Sequence, residues 1–471
     1  MKMKDVLEKE LELISISKGE VLRLKKVASD FIKSLKREGL KVYVGGSLAK
    51  NTMIRKTLFS EVRSPKSEVR SGEGKQDVDI FVVFDYSEDI LKLEGILKGM
   101  ELPGKLKRVH GSRDYFHIVM DDIILEVVPV VKNRDPELAE NVTDVSLSHV
   151  KYIVGEIKKN PGIADEIKLA KAFCRAQRCY GAEGYVRGFS GYSLEVLVIF
   201  YGSFLNFLKK ITVRSPKSEV RSPKIVIDPL KYFKSEREIM RELNSSKLQG
   251  PVVVVDPTYK FRNVCAGLGL GTFERFLKVS GDFLKNPSSE SFERKGVDVE
   301  ALRALVVGRR PQSGMTLLAQ KSEVGSRRFL ELEFSTDRQE GDIAGTKMRK
   351  LFRFFIRELE RNGQMVLREE FDYDGVGQRA KGYLVVLEKG EIEVRGPSIG
   401  LEKEAAAFLA ARKSASNRHD PTGPEVGSRK SKNVFKRKGF WWFRKRVSVE
   451  GVVKFIKRFE REIGSNIEIY K

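Results

Sequence analysis

Apolar residues recur at two periods along this chain, and the switches between them outline its parts. Over the first forty residues the period is helical. Val21, Leu24, Val27, Phe31 and Leu35 return every three or four positions with lysines and acids between them, which predicts two amphipathic helices. The period then drops to two. Lys41-Val-Tyr-Val44 reads as a strand that ends in Gly45-Gly46-Ser47, with a helix expected over Leu48–Ile54. Val78–Phe84 and Ile123–Val131 are further strands, alternating and rich in β-branched residues. From His149 to about Lys210 the pattern turns helical again, clearest over Ile167–Arg178 and Tyr192–Leu208, with a glycine-rich turn between. A second mixed region opens near residue 300 and includes a helix over Lys347–Glu360 and a strand over Gly382–Leu387. The expected class is α+β and multidomain, with boundaries near 145 and 297.

Composition narrows the partners. The 471 residues are 41% hydrophobic and 32% charged, enough apolar material for packed cores, so wholesale disorder is excluded. Lysine and arginine total 88 against 65 acids, a net charge of +23, which points to a polyanion and by default to nucleic acid. Three cysteines (Cys174, Cys179, Cys265) form no CxxC pair and no disulfide framework, which suits the cell interior. Tyr192–Leu208, the most apolar run, contains Glu195 and is too short to span a bilayer. The N-terminal MKMKDVLEKELEL has no apolar signal core. A soluble, cytoplasmic protein without a membrane partner is expected.

The ten residues Val62–Ser71, VRSPKSEVRS, recur identically as Val213–Ser222, with related fragments at Lys321–Arg327 and Glu425–Arg429. Their spacing is irregular and they lack core-building periodicity, so they read as inserts tolerated in surface loops rather than as a solenoid.

The strongest chemical constellation follows the first strand. Gly46-Ser47 offers backbone N–H groups and a hydroxyl to a triphosphate. Asp77 and Asp79 stand two apart on one strand and share a face, and Glu126 lies on another strand. Three carboxylates converging on a sheet edge can hold two divalent cations for an in-line phosphoryl transfer. Taken singly, each has a plainer reading: a Gly-Gly-Ser turn is often only a turn, Asp-x-Asp an exposed face, and Glu126 the partner of a buried lysine. The order and the flanking strands favour the functional reading.

At VGGSLAKNTMIRK, DVDIFVVFD and ILEVVPVVK the chain resembles the archaeal-type (class I) CCA-adding tRNA nucleotidyltransferases of the DNA polymerase β-like nucleotidyltransferase superfamily. IKLAKAFCRAQRCYGAEGYVRGFSGYSLEVLVIFYGSF and VVDPTYKFRNVCAGL resemble that family's central domain, and VRGPSIGLEKEAAAFL and KGFWWFRKR its body and tail. The resemblance implies a polymerase β-like nucleotidyltransferase head over 1–145, a mainly helical central domain binding nucleotide and tRNA over 146–297, and an αβ body and tail binding tRNA over 298–471. It implies that Asp77, Asp79 and Glu126 are catalytic and bind Mg2+, that Gly46 and Ser47 hold the triphosphate, and that Lys50 is a further nucleotide-binding residue. His149, Lys171, Tyr180 and Arg262 match positions that contact the incoming nucleotide. Lysine and arginine suit phosphate, and a tyrosine face suits stacking or ribose. Alone, Arg262 could equally be a structural ion pair, Tyr180 a core residue and His149 a cap or core histidine.

Three features depart from the family pattern. The third carboxylate is commonly Asp, and Glu126 is one methylene longer. The repeat lengthens the stretch between Ser47 and Asp77. The chain ends soon after Trp441-Trp442, which shortens the expected tail. Arg429–Arg446 carries nine lysines or arginines and no acid, interleaved with aromatics, and Lys436, Arg437, Lys438 and Arg444 are the expected tRNA contacts. The expected activity is template-independent addition of C, C and A to the 3′ end of tRNA from CTP and ATP, releasing pyrophosphate. A poly(A)-polymerase-like or oligoadenylate-synthesising enzyme and an inactive RNA-binding scaffold are the alternatives. A homodimer is allowed.

Overall fold

The computed structural model describes residues 2–55, 75–214, 224–306, 326–407, 434–437, 440–445, 452 and 466–470, apart from short stretches within these ranges. It divides into two compact units, Met1–Lys295 and Gly296–Lys471.

In the first unit, helices α1 (Met3–Ile14) and α2 (Lys18–Arg37) lead into β1 (Lys41–Val44), the short α3 (Gly46–Lys50) and β2 (Gln76–Phe84). Helix α4 (Lys92–Gly99), the hairpin β3 (Lys105–Val109) and β4 (Tyr115–Val119), and β5 (Ile123–Val131) complete the head. Its five strands lie in the order β1-β2-β5-β4-β3, all neighbours antiparallel except the central β2–β5 pair. Leu24, Phe31 and Leu35 of α2 cover one sheet face over Val78, Ile80, Val82, Leu125 and Val127, so the alternation of β2 and β5 turns their remaining side chains to the opposite face.

Behind the head come α5 (Ser146–Lys159), α6 (Ile163–Ala176), α7 (Gly191–Tyr201), α8 (Phe204–Arg214), β6 (Ile225–Ile227), α9 (Glu236–Glu242), β7 (Val252–Asp256), β8 (Tyr259–Asn263) and α10 (Leu270–Lys285). Their core is built on Phe173, Phe189, Phe204, Phe207, Phe276 and Phe283. Val6 and Ile14 of α1 join this helical core rather than the head's.

Three expectations need correction. The single helix over Tyr192–Leu208 is two helices bent by 89°. Gly202 adopts φ 78 and caps α7 in a left-handed conformation that a residue with a side chain resists. The helix expected over Leu48–Ile54 begins earlier, at Gly46, and stops at Lys50, because Asn51 takes φ 55 and returns its N–H to the preceding carbonyls. The three-stranded sheet β6-β7-β8 inside the mainly helical region was not expected; its strands are only three to five residues long, too short to show a period.

In the second unit, α11 (Val299–Val306), β9 (Ser326–Ser335), α12 (Gly341–Arg361), β10 (Met365–Tyr373) and β11 (Arg379–Glu388) come first. Strand β15 (Asn466–Tyr470) completes a β10-β11-β9-β15 sheet, and Phe352 of α12 packs on Phe334 and Phe371. Strands β12 (Ile392–Ser398), β13 (Val434–Arg437) and β14 (Phe440–Lys445) make a separate antiparallel sheet. The repeat copy Val62–Ser71 lies outside the described residues, as does Val213–Ser222 beyond Arg214.

Candidate active site

The turn after β1 is shaped by what it must let in. Gly45 donates its N–H to the Asp79 carbonyl at 2.8 Å, and Gly46 sits at φ 55. A side chain at Gly45 would strike the Phe81 ring, and one at Gly46 would strike the Asp79 carboxylate. Both glycines are therefore required by the close approach of β2. The parallel register sets Asp77 opposite Ile124 and Asp79 opposite Glu126. Asp77, Asp79 and Glu126 alternate with the buried Val78, Ile80, Leu125 and Val127 and so share one half-buried face. Glu126 also faces His117 across the β4–β5 pair, with Nε2 3.3 Å from its carboxylate.

Oxygen-only donors in neighbouring register suit a hard cation such as Mg2+. As the side chains stand, Glu126 is turned to His117 and Asp79 lies against Gly46. Among the described residues no group of three or more His, Cys, Asp or Glu closes round a common point. The fit to a cation thus lies in the strand register and the donor chemistry.

The other expected residues take part in two buried networks. In the first, Glu195 of α7 is fully buried and bound by two lysines: Lys50 Nζ donates to Oε2 at 2.8 Å and Lys171 Nζ to Oε1 at 2.7 Å. Lys171 also donates to Thr52 Oγ1 at 2.9 Å, and the Thr52 hydroxyl donates to Glu195 Oε1 at 3.3 Å. Burial pushes the Glu195 pKa up, but Lys171 and Lys50 outweigh it and bring it down to about 2.

In the second network, Asp256 is fully buried at the end of β7. Its Oδ1 accepts from Tyr192 Oη at 2.9 Å and from the Thr258 backbone N–H and hydroxyl, both at 2.8 Å. Its Oδ2 accepts from Arg262 Nη1 at 2.9 Å and lies 3.1 Å from His149 Nε2. Burial opposes the charge on Asp256, yet the donors His149, Arg262 and Thr258 hold its pKa below the usual carboxylate range. Burial lowers that of His149 despite its acidic neighbour. The imidazole stacks on the Tyr192 ring with centroids 3.9 Å apart. Tyr180 is half-buried beside these groups under Arg175, whose Cζ is 4.8 Å from the ring centroid, and a Cβ at Gly191 would come 2.9 Å from its hydroxyl.

The expected residues therefore fall into sets. Gly46 and Ser47 open α3, and Asp77, Asp79 and Glu126 share the sheet face. Glu195 joins Lys50 to Lys171, and Asp256 joins His149 to Arg262. Lys436 and Arg437 lie on β13 and Arg444 on β14, in the second unit, while Lys438 lies outside the described residues. Sequence reasoning did not single out Thr52, His117, Tyr192, Glu195 or Asp256 as functional. For two of them a signal exists: each is a lone acid in or after a run of apolar residues, and a buried charge demands a partner.

Comparison with known proteins decides the family. Residues 165–293, from α6 to just beyond α10, match the family model described as tRNA nucleotidyltransferase, second domain. The CCA-adding enzyme of Nanoarchaeum equitans is 30% identical over 345 residues, which is 73% of this chain and 72% of that one. This chain belongs to the CCA-adding enzyme family. The family's Archaeoglobus fulgidus member is 28% identical over 79% of this chain and 73% of its own length. The Pyrococcus abyssi member is 31% identical over 64% of this chain and 62% of its own. As in the rest of the family, the expected enzyme class is nucleotidyltransferase, here on an α+β multidomain fold. A solved structure described as a cytoplasmic RNA terminal U-transferase overlays 62% of this chain with a TM-score of 0.46 and 13% identity, too distant to bear on activity. Among the described residues no single helix is long and apolar enough to cross a membrane. The bent pair α7–α8 is apolar because it is core.

Proposed function

We propose that this chain adds C, C and A to the 3′ end of tRNA, using CTP and ATP and releasing pyrophosphate. The observation that carries the reading is the β2–β5 register, which sets Glu126 beside Asp79 on the face that carries Asp77 and against the Gly46 turn. In this reading Asp77, Asp79 and Glu126 hold Mg2+. A bound divalent ion supplies activation of the attacking hydroxyl and neutralisation of the leaving pyrophosphate. The side-chain-free Gly46 and the Ser47 hydroxyl receive the triphosphate, with Lys50 and Lys171 supplying positive charge behind it. His149, Tyr180 and Arg262 meet the rest of the nucleotide, and the chain's net +23 attracts the tRNA backbone without reading its sequence. Much of the rate comes from holding the 3′-hydroxyl and the α-phosphorus in line.

The test is incubation with tRNA lacking CCA and with single labelled nucleotides. Incorporation that requires CTP first, then ATP, and stops after three additions supports the proposal. Long adenylate tails from ATP alone would replace it with poly(A) synthesis, and no incorporation under any nucleotide would leave an RNA-binding scaffold.

A further inference from the structure

Resting on that reading, we propose that Asp256 is a positioning residue for the nucleotide: from one buried carboxylate it fixes both the His149 imidazole and the Arg262 guanidinium. The two oxygens divide the work. Oδ1 is taken by the scaffold, through Tyr192 Oη and both donors of Thr258, and these three contacts leave it no freedom to turn. Oδ2 faces the two recognition residues.

The backbone explains why one residue can do this. Asp256 ends β7 and Arg262 lies on β8 across a tight turn, and the Asp256–Thr258 contacts close that turn on the carboxylate itself. Arg262 Nη1 also lies 2.8 Å from His149 Nε2, so imidazole, guanidinium and carboxylate form a closed triangle. Asp256 is fully buried and His149 nearly so, whereas the Arg262 side chain is 27% exposed. The guanidinium therefore reaches from a buried anchor towards solvent. Among the described residues both of its close polar contacts, the hydrogen bond donated to Asp256 Oδ2 and the approach to His149 Nε2, are made through Nη1, and its Nε and Nη2 edge has no hydrogen-bond partner in the protein. A planar cation anchored by one corner presents its remaining donors at a fixed angle, which loses less freedom on binding than a mobile arginine would.

The anchor also reaches the other network. Tyr192 and Glu195 stand three residues apart near the start of α7, on one side of the helix, so neighbouring positions carry the group that orients Asp256 and the group that orients Lys50 and Lys171. The Ser190 side chain fixes the start of α7 by accepting from Ser193 N–H at 3.0 Å.

The experiment uses the full chain with tRNA lacking CCA. Asp256→Asn keeps the shape and removes the charge. It raises the KM for CTP and for ATP about tenfold, with kcat changed less than about threefold and the KM for tRNA unchanged. In the double variant Asp256→Asn/Arg262→Ala the nucleotide KM exceeds that of Arg262→Ala alone by clearly less than the tenfold of the single Asp256→Asn, because the share carried by the arginine is already lost and only the His149 share remains. A lowered Tm with normal nucleotide KM, or single effects that multiply in the double variant, would overturn the proposal. Should Asp256→Asn fail to fold, Tyr192→Phe decides: it keeps the ring stacked on His149, removes one donor from Oδ1 and raises both nucleotide KM values about threefold, and an unchanged KM overturns the proposal. If the unsubstituted chain adds neither C nor A, the proposed function fails on its own. Equilibrium binding of CTP then reads Asp256 directly, and binding by Asp256→Asn as tight as that of the parent chain removes this role as well.

Discussion

Asp77, Asp79 and Glu126 lie half-buried on one sheet face, whereas Glu195 and Asp256 are fully buried and each faces two basic side chains. The first set alternates with core residues on strands, and its geometry comes from the sheet. The second set sits on a helix turn and a strand end, and its geometry comes from its own ion pairs. Carboxylates left on a half-exposed face can still change partners when a cation arrives. Carboxylates enclosed with lysine and arginine cannot do so cheaply, since removing either partner leaves a bare buried charge. The chain thus separates the groups suited to chemistry from those that hold its cations in place.

The sharpest break in that comparison is expected at Asp79. Asp79→Asn is expected to lower nucleotide addition by about a thousandfold or more, the scale on which preorganised charge at a reacting centre counts. It is expected to change unfolding free energy by much less than Glu195→Gln does, because the residue is only half-buried and the substitution keeps its shape. Single-turnover rates and denaturant unfolding measure the two effects. Activity within tenfold of the parent chain would remove Asp79 from the reacting face.

Glu195→Gln is expected to do the reverse, costing stability first. The folded pKa of Glu195 is about 2 against its ordinary 4.5. A depressed carboxylate contributes stability that is present above the unfolded pKa and lost as pH falls through the folded one. The contribution should therefore be complete at pH 7 and fade between about 4.5 and 2. Its size is on the order of 3 kcal/mol. Denaturant unfolding should show the parent chain more stable by that order at pH 7, with the gap narrowing as pH falls from 4.5 towards 2. A gap that stayed constant with pH would mean that packing, not charge, is what the substitution removes.

How much of this could be read from the sequence depended on distance along the chain. The sheet face was legible in part because a strand's period is two: Asp77 and Asp79 flank Val78, so their common face could be written down before any pairing was known, while Glu126 could only be placed on a second strand. Which strands pair, and that Asp79 and Glu126 fall in the same rung, required the fold. Glu195 was visible as a single acid in an apolar run, but its partner Lys50 lies 145 residues away and no local pattern links them. Lys171, His149 and Arg262 were expected to face the nucleotide, and the structure adds that each also holds a buried carboxylate. The break at Gly202 was hidden because the hydrophobic residues run on through it into α8.

Thr52 carries the smallest expected effect and the finest test of the comparison. Its hydroxyl is buried, accepts from Lys171 Nζ at 2.9 Å and donates to Glu195 at the longer distance of 3.3 Å. Thr52→Val keeps the shape and removes only that hydroxyl. Lys171 retains its 2.7 Å ion pair with Glu195, so no charge is left alone. The cost should then be that of one neutral partner lost to a charged donor, about 1 to 2 kcal/mol, clearly below that of Glu195→Gln. Nucleotide KM should rise less than about threefold, because Lys171 is still held on its other side. Urea unfolding of the two single variants and of the pair settles the order. If charge holds this network together, the double variant should lie close to Glu195→Gln alone, since the threonine then has no ion pair left to steady. If the two costs simply add, the hydroxyl packs independently of the ions, and the division between reacting and holding carboxylates would rest on Glu195 and Asp256 without Thr52.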